Sequence, residues 1–351
     1  MNAPVIANRK GYFYALKAGE RVLWCSCGRS VTQPFCDGAH KGTDFRPVIV
    51  RAEKDEDVIF CGCKHTATAP FCDGAHSNLP GGYQLDDPDS PENRAVALID
   101  AGTGPDVALD GNCYVFSTRR AALRDLGGLA YCAVISPAKG AEFQSQFYAE
   151  IAPGHAPVIA ADGRHTVLFT VTGQGQVEIS GRSFALAPRN GFYIRPHEAW
   201  RVINPGPEKI TLFISNGPGS EELVVLDAMP DNFAADFPER RSEIDPAQRQ
   251  SMAERYFQML IHRRHGSDVV TQFIGNIPLS KAEPHRHLYE EALIFLNGSG
   301  VVWTERKKTR VGAGDVLFLP SKQLHSVQCT SEGGFDVVGV IYPGDNPAIN
   351  Y

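Results

Sequence analysis

The 351-residue sequence predicts a mainly β protein in which a small metal-binding domain precedes two β barrels. Three observations predict it. A sixteen-residue cysteine–histidine pattern occurs twice within the first 80 residues, 36 residues apart. Beyond residue 112, short alternating apolar runs recur between Gly, Pro and Asn, the pattern of antiparallel sandwiches and barrels. These runs also form two sets that repeat each other. Val171-Thr-Gly173-Gln-Gly175 answers Leu296-Asn-Gly298-Ser-Gly300, and Phe192-Tyr-Ile-Arg-Pro196 answers Leu317-Phe-Leu-Pro320.

The length suits two or three domains, expected at 1–80, 113–225 and 226–351 with a linker at 81–112. Apolar content of 43% and charged content of 21% are those of an ordinary globular protein. No apolar run approaches the roughly 20 residues that span a bilayer. The first residues lack the pattern of a signal peptide or a presequence, so a cytoplasmic location is expected. Residues 1–80 hold ten basic and eight acidic side chains, which leaves about −8 for the rest of a chain of net charge −6. That balance speaks against a nucleic-acid partner. Six of nine cysteines sit in the two patterns, and Cys113, Cys132 and Cys329 are expected as small buried hydrophobes.

The first pattern reads Cys25-Ser-Cys27-Gly-Arg-Ser30, then Pro34-Phe-Cys36-Asp37-Gly38-Ala-His40. The second reads Cys61-Gly-Cys63-Lys-His-Thr66, then Pro70-Phe-Cys72-Asp73-Gly74-Ala-His76. Three thiolates and one imidazole make a complete ligand set for one metal centre. Structural zinc uses the same set. Against zinc, Cys36 and His40 stand four apart around an Asp-Gly turn rather than as a close pair. Gly38 and Gly74 allow a tight wrap, while Asp37 and Asp73 can cap the following turn and orient amides toward sulfur. Spacing alone leaves both metals open. His65 lies outside the ligand positions and reads as an exposed, inert side chain.

Both copies resemble the CDGSH (mitoNEET-like) iron–sulfur family, whose pattern is Cys-x-Cys-x2-Ser/Thr-x3-Pro-x-Cys-Asp-Gly-Ser/Ala/Thr-His. Each copy matches at every position, and Tyr14, Leu16-Lys17, Gly19-Glu20 and Trp24 precede the first in the family's manner. The resemblance implies two [2Fe–2S] clusters in a pseudo-symmetric unit. One would be held by Cys25, Cys27, Cys36 and His40, the other by Cys61, Cys63, Cys72 and His76. An imidazole in place of a thiolate raises the reduction potential, and acid should loosen such a cluster.

The linker is dense in breakers and charge, with one short strand expected at Ala95–Ile99. The first set of strands is expected at Gln146–Ile151, Thr166–Val171, Gln176–Ile179, Phe192–Arg195 and Ile210–Ile214. The second is expected at Val269–Ile274, Ala292–Leu296, Val301–Thr304, Val316–Leu319 and Val337–Ile341. Between them Pro246–Arg264 predicts a helix, capped by Asp245 and started by Pro246. His262 and His265 would then meet its C-terminal dipole.

The second set carries Pro284-His285-Arg-His287-Leu-Tyr289-Glu-Glu291, then Gly298, Gly314, Pro320, Lys322 and His325. On one strand, His285 and His287 would share a face and reach one ion. Glu291 and His325 would complete a three-histidine, one-carboxylate sphere, and octahedral geometry would leave two positions for substrate, water or oxygen. Tyr289, Trp303 and Lys322 are candidate pocket walls. These residues resemble the cupin superfamily, whose motifs are His-x-His-x3,4-Glu-x6-Gly and Gly-x5-Pro-x-Gly-x2-His. The first fits completely, and the second has Lys322 in place of Gly. The resemblance implies two double-stranded β-helix (jelly-roll) barrels, a bicupin, with one mononuclear divalent metal. Iron(II) is favoured, with manganese, nickel, cobalt or zinc also compatible.

Alignment of the two sets puts Ala160, Asp162, Thr166 and Arg201 at the ligand positions of the first barrel, so no metal is expected there. His155, His165 and His197 nearby read as loop or surface residues. Leu129–Phe143 resembles the opening segment of bicupins related to ureidoglycine aminohydrolase, which bears on architecture only. Three functions fit. In the first, barrel iron would act on O2 and a small molecule while the clusters deliver electrons, fed by a redox donor protein. In the second, a Lewis-acid lyase, isomerase or hydrolase is gated by the clusters. In the third, the chain is an iron–sulfur carrier or sensor without enzymatic activity. No membrane partner is expected, and a homodimer or higher oligomer fits barrels that pair through their edges.

Overall fold

The computed structural model describes residues 3–81 and 83–351. Met1 and Asn2 of the N-terminal domain and Gly82 of the linker lie outside the described residues. In the N-terminal domain Tyr12–Leu16 pairs antiparallel with Glu56–Phe60, and Arg21–Trp24 pairs with Val48–Arg51. Each small sheet draws one strand from either half, so the two copies share one folded unit. Equivalent bridges, Trp24 to Phe35 and Phe60 to Phe71, repeat at the 36-residue spacing. Leu16, Trp24 and Phe60 fill the shared core, and the Trp24 indole donates to Cys61 O at 3.1 Å.

Behind it stand two β barrels, each a large sheet facing a smaller one. Every run expected as a strand overlaps an observed strand, with ends moved by at most three residues. The seven-stranded sheet of the first barrel centres on His165–Thr172, Ile210–Gly217 and Ser145–Ile151. The eight-stranded sheet of the second centres on Thr271–Ile277, Phe335–Tyr342 and Glu290–Phe295. The central strands alternate between two cores. Leu293 and Phe295 face the interior of the second barrel, whereas Ala292 and Ile294 face the other barrel's sheet. Burial on both faces explains why these strands read as unbroken apolar runs rather than alternating ones. Each such Ile or Phe contributes roughly 1.5–3 kcal/mol relative to exposure.

The linker carries its expected short strand, Ala97–Leu98, parallel beside Lys307–Gly312. Two expectations are corrected. The linker also holds a second strand, Asp106–Ala108, which pairs with Tyr114–Ser117. Tyr114–Ser117 in turn pairs with Asp315–Leu319, so the boundary at 113 cuts through strands that belong to the second barrel. Pro246–Arg264 is not a helix. Asp245 does cap a single turn, Pro246–Gln248, by accepting from Ala247 N at 2.9 Å. Gln250–Met252 and Arg255–Ile261 then form strands, the latter bonded to Thr271–Ile277. Met252, Tyr256, Phe257 and Leu260 fit helical spacing, but a hydrogen-bonded neighbour decides between the two periods.

The exchange of segments runs in both directions, since Arg241–Ser242 returns to pair with Gly191–Ile194 of the first barrel. Just before it, Arg240 is fully buried and bonded twice to Glu198, at 2.6 and 3.0 Å. Glu198 also accepts from Arg195 N and Ala234 N. Removing one partner of such a pair strands the other charge. We expect Glu198→Ala to destabilise the first barrel by about 3–5 kcal/mol, read as a lower urea midpoint. An unchanged midpoint would show the pair to be dispensable. Among the described residues no helix is long and apolar enough to cross a membrane.

Candidate metal centres

In the second barrel Glu291 shares the parity of Leu293 and Phe295, which turns its carboxylate into the barrel. His285 and His287 do not lie on a regular strand. They sit in an irregular segment pinned by the bridge between His285 and His325. Each ring has its Nδ1 at a backbone carbonyl: Glu283 O at 3.0 Å, Tyr289 O at 2.9 Å and Gln323 O at 3.0 Å for His285, His287 and His325. A carbonyl only accepts, so each Nδ1 carries the proton and each Nε2 keeps a free lone pair. Burial holds His285 neutral down to about pH 3 and His325 well below the ordinary histidine range.

The fit to a cation is direct. His287 Nε2 is buried without a hydrogen-bond partner, yet lies 3.1 Å from Glu291 Oε2. Two acceptors at that distance repel unless a positive ion joins them. Ligand atoms of His287, Glu291 and His325 all lie within 4.8 Å of one another, close to the roughly 4.2 Å that separates opposite ligands of an ion bound at about 2.1 Å. His285 stands beside this group, its ring centroid 4.4 Å from that of His325, and lines the same cavity. The structure thus brings three of the four expected ligands together and keeps the fourth adjacent.

Of the expected pocket walls only Tyr289 reaches the cavity. Its ring stacks on His287 at 4.0 Å, and its hydroxyl points to Pro347 O at 3.4 Å. Trp303 is corrected: Val302 takes the inward position on that strand, so Trp303 faces outward beneath Lys281 and Lys308. Lys322 is also corrected. It turns away to pair with Asp57 of the N-terminal domain, and its φ of 65° shows why glycine is usual there. Arg255, Phe257, Phe273 and Asn276 line the cavity unannounced by any motif. The helix expectation hid Arg255 and Phe257.

In the first barrel Phe147, Leu168, Phe192 and Trp200 fill the interior. Thr166 bonds Asn216 at 2.8 Å and Arg201 bonds Glu178 at 2.6 Å. His155 and His197 are exposed, whereas His165 is half-buried with its Nδ1 2.6 Å from the Tyr193 hydroxyl. His262 and His265 flank a turn instead of ending a helix, and burial pushes His265 down to about 4. Cys113 and Cys329 are buried and Cys132 partly so.

The N-terminal motifs place their donors in two separate pairs. Thiols of Cys25 and Cys27 lie 3.6 Å apart, and those of Cys61 and Cys63 lie 3.5 Å apart. Cys36 Sγ is 3.2 Å from His40 Nδ1, and Cys72 Sγ is 3.5 Å from His76 Nδ1. A tetrahedral zinc draws four ligands to within about 3.8 Å of one another. Among the described residues, only the barrel group gathers three ligand atoms within 4.8 Å. Two donor pairs held apart fit a dinuclear centre, with one pair on each iron. Asp37 and Asp73 each accept two backbone N–H groups, and amides of Gly38 and Lys64 point at Cys36 and Cys61 sulfur. His65 is exposed.

The two motifs differ in surroundings. Cys36 and His40 are half-buried, whereas Cys72 and His76 are buried against the C-terminal segment. His76 Nε2 lies 3.1 Å from Asn350 Oδ1, and Asn346 Nδ2 donates to Asp73 O at 3.1 Å. Ile349 packs on Ile59 and Cys72. Gly74 is required here, because a Cβ would come within 2.7 Å of Ala348 Cβ. The same segment reaches the metal cavity through Pro347, and Tyr351 exchanges backbone bonds with Arg286 between two expected ligands. An outer partner of a metal-binding histidine fixes its ring, and its loss costs roughly 10- to 100-fold in affinity. Asn350→Ala should therefore speed chelator-driven bleaching of the second centre by about that factor and leave the first unchanged. Equal bleaching of both would refute the role.

Comparison with known proteins matches two parts of the chain. The family model for the iron-binding zinc finger of CDGSH type matches residues 2–41, and the cupin domain model matches residues 278–341. The CDGSH iron-sulfur domain-containing protein 3, mitochondrial, of Mus musculus is 42% identical over 53 residues, 14% of this chain and 39% of that protein. The Homo sapiens protein is 42% identical over 52 residues, 14% and 41%. The chain thus spans about two fifths of the length of the curated relatives it matches. Protein Ylba from E. coli shares the fold with a TM-score of 0.52 at 16% identity, over 68% of this chain and 93% of that one. The oxalate decarboxylase of Lactobacillus farciminis does so with a TM-score of 0.52 at 14% identity, over 69% and 89%. The chain carries a CDGSH-type iron-binding domain followed by a bicupin fold.

Proposed function

We propose that this protein is an iron–sulfur bicupin oxidoreductase, a mononuclear non-haem iron oxygenase acting on a small molecule. The observation that carries the reading is the C-terminal segment shared by the two centres. Asn350 meets His76 of the second motif, and three residues earlier Pro347 meets Tyr289, which stacks on His287. When bound, a ferrous ion would supply dioxygen chemistry and two [2Fe–2S] clusters the electrons. The chain's own residues do the rest. His285, His287, Glu291 and His325 would hold the ion, with Nδ1 of each imidazole anchored on a carbonyl. Phe257 and Phe273 give the cavity apolar walls, and Tyr289 fixes the plane of the His287 ring. The first motif lies half-open beside Val31, which is 91% exposed, and would meet a redox donor protein there.

The test needs no substrate. Anaerobic protein with reduced clusters is freed of excess reductant and mixed with O2, with and without iron in the barrel. Faster cluster reoxidation in the iron-loaded protein, abolished in Glu291→Ala, is the expected result. Identical reoxidation in all samples would overturn the oxygenase reading and leave the redox-gated Lewis-acid and the carrier alternatives.

A further inference from the structure

Arg255 opens the strand Arg255–Ile261, is 7% exposed, and lines the metal cavity. Its one side-chain hydrogen bond among the described residues runs from Nη2 to Val327 O at 3.3 Å, and its Nε is buried with no partner. Among the described residues no carboxylate pairs with it, and Glu254, its neighbour in sequence, is exposed. The guanidinium instead lies over the Tyr83 ring, 5.2 Å from its centroid. The other deeply buried arginine, Arg240, shows what a satisfied one looks like, with a bidentate carboxylate and two carbonyls around it. A buried cation without a counter-charge is strongly unfavourable, so its place on a cavity wall points to an anion that arrives from outside.

The remaining walls narrow the ligand. Phe257, Phe273, Leu293 and Val337 are apolar, and the cavity holds about 90 Å³. That is smaller than a cavity of about 150 Å³ that accepts benzene, so only a handful of heavy atoms fit. A divalent ion on neutral imidazoles and one carboxylate leaves a net positive charge opposite Arg255, which again favours an anion. Unused guanidinium donors match the two oxygens of a planar carboxylate.

We propose that Arg255 is the anion-binding residue of this cavity and that the substrate is a small aliphatic carboxylate, held at one end by the guanidinium and directed at the metal by the other. This deepens the functional reading above and rests on it for the metal, not for the oxygen chemistry.

The experiment is calorimetric titration of the metal-loaded full-length protein with propionate, propionamide and inorganic phosphate, repeated with Arg255→Met. Propionate should bind, propionamide and phosphate should bind at least tenfold more weakly, and Arg255→Met should weaken propionate at least tenfold. Metal content should stay unchanged. The Arg255→Met protein should also melt at a higher temperature, since the unpaired charge is gone. Equal binding of propionate and propionamide, no propionate binding at full metal occupancy, or full binding by Arg255→Met would each overturn the proposal. A barrel that takes up no metal would instead sink the metal reading. Propionate binding lost in Arg255→Met would then still uphold the anion site.

Discussion

Glu291→Ala protein, purified without oxygen beside the unaltered chain, should lose the barrel metal and keep the visible absorption of its iron–sulfur centres. Glu291 supplies the only carboxylate among the four expected ligands, and its Oε2 stands 3.1 Å from the unpartnered His287 Nε2. Three neutral imidazoles cannot replace the charge it brings to a divalent ion. Partners outside the ligand sphere are worth about 10- to 100-fold in metal affinity, so a ligand should be worth at least about 100-fold. Metal analysis under a weak chelator reads the result. Wild-type occupancy in Glu291→Ala would mean that the ion, if any, binds elsewhere. Glu291→Asp separates charge from reach: it restores the charge one methylene short, and occupancy between the two is expected.

The second large effect concerns the N-terminal centres. On the proposal that each motif holds its own cluster, Cys36→Ala and Cys72→Ala should each remove one cluster and about half of the cluster iron. Their consequences for the barrel should differ. Cys72 packs against Ile349 on the segment that also reaches Tyr289, whereas Cys36 is half-buried on the outer side. Only Cys72→Ala should therefore change the paramagnetic resonance spectrum of the barrel metal. Zinc in place of iron at either motif would overturn the cluster assignment. Equal effects on the barrel would remove the reason for linking the second motif to it.

Much of this arrangement is legible in the chain because metal ligands must be particular residue types at short spacing. The two cysteine–histidine copies, His285, His287, Glu291 and His325 are visible without coordinates for that reason. Glu291 is also placed by strand parity, which puts it on the face of Leu293 and Phe295. The two sets of β runs are legible because Gly and Asn turns repeat at matching positions. Yet the same reasoning misjudges Pro246–Arg264. Met252, Tyr256, Phe257 and Leu260 satisfy a helical template as well as a strand, and only pairing with Thr271–Ile277 settles the matter. Trp303 and Lys322 mislead for a related reason. Both lie near ligands in sequence, but one residue of strand parity or one left-handed turn sends a side chain to the opposite side.

By itself, then, the sequence determined which atoms can hold metal and that the chain alternates between β runs and tight turns, since both depend on local chemistry. Tertiary structure alone decided which strands share a sheet, so that Asp106–Ala108 and Tyr114–Ser117 serve the second barrel. It also decided that Asn350 meets His76, 274 residues away in the chain, and that Arg255 lines the cavity with no carboxylate partner among the described residues. Such contacts arise from burial and backbone pairing between distant segments, and no spacing rule along the chain encodes them.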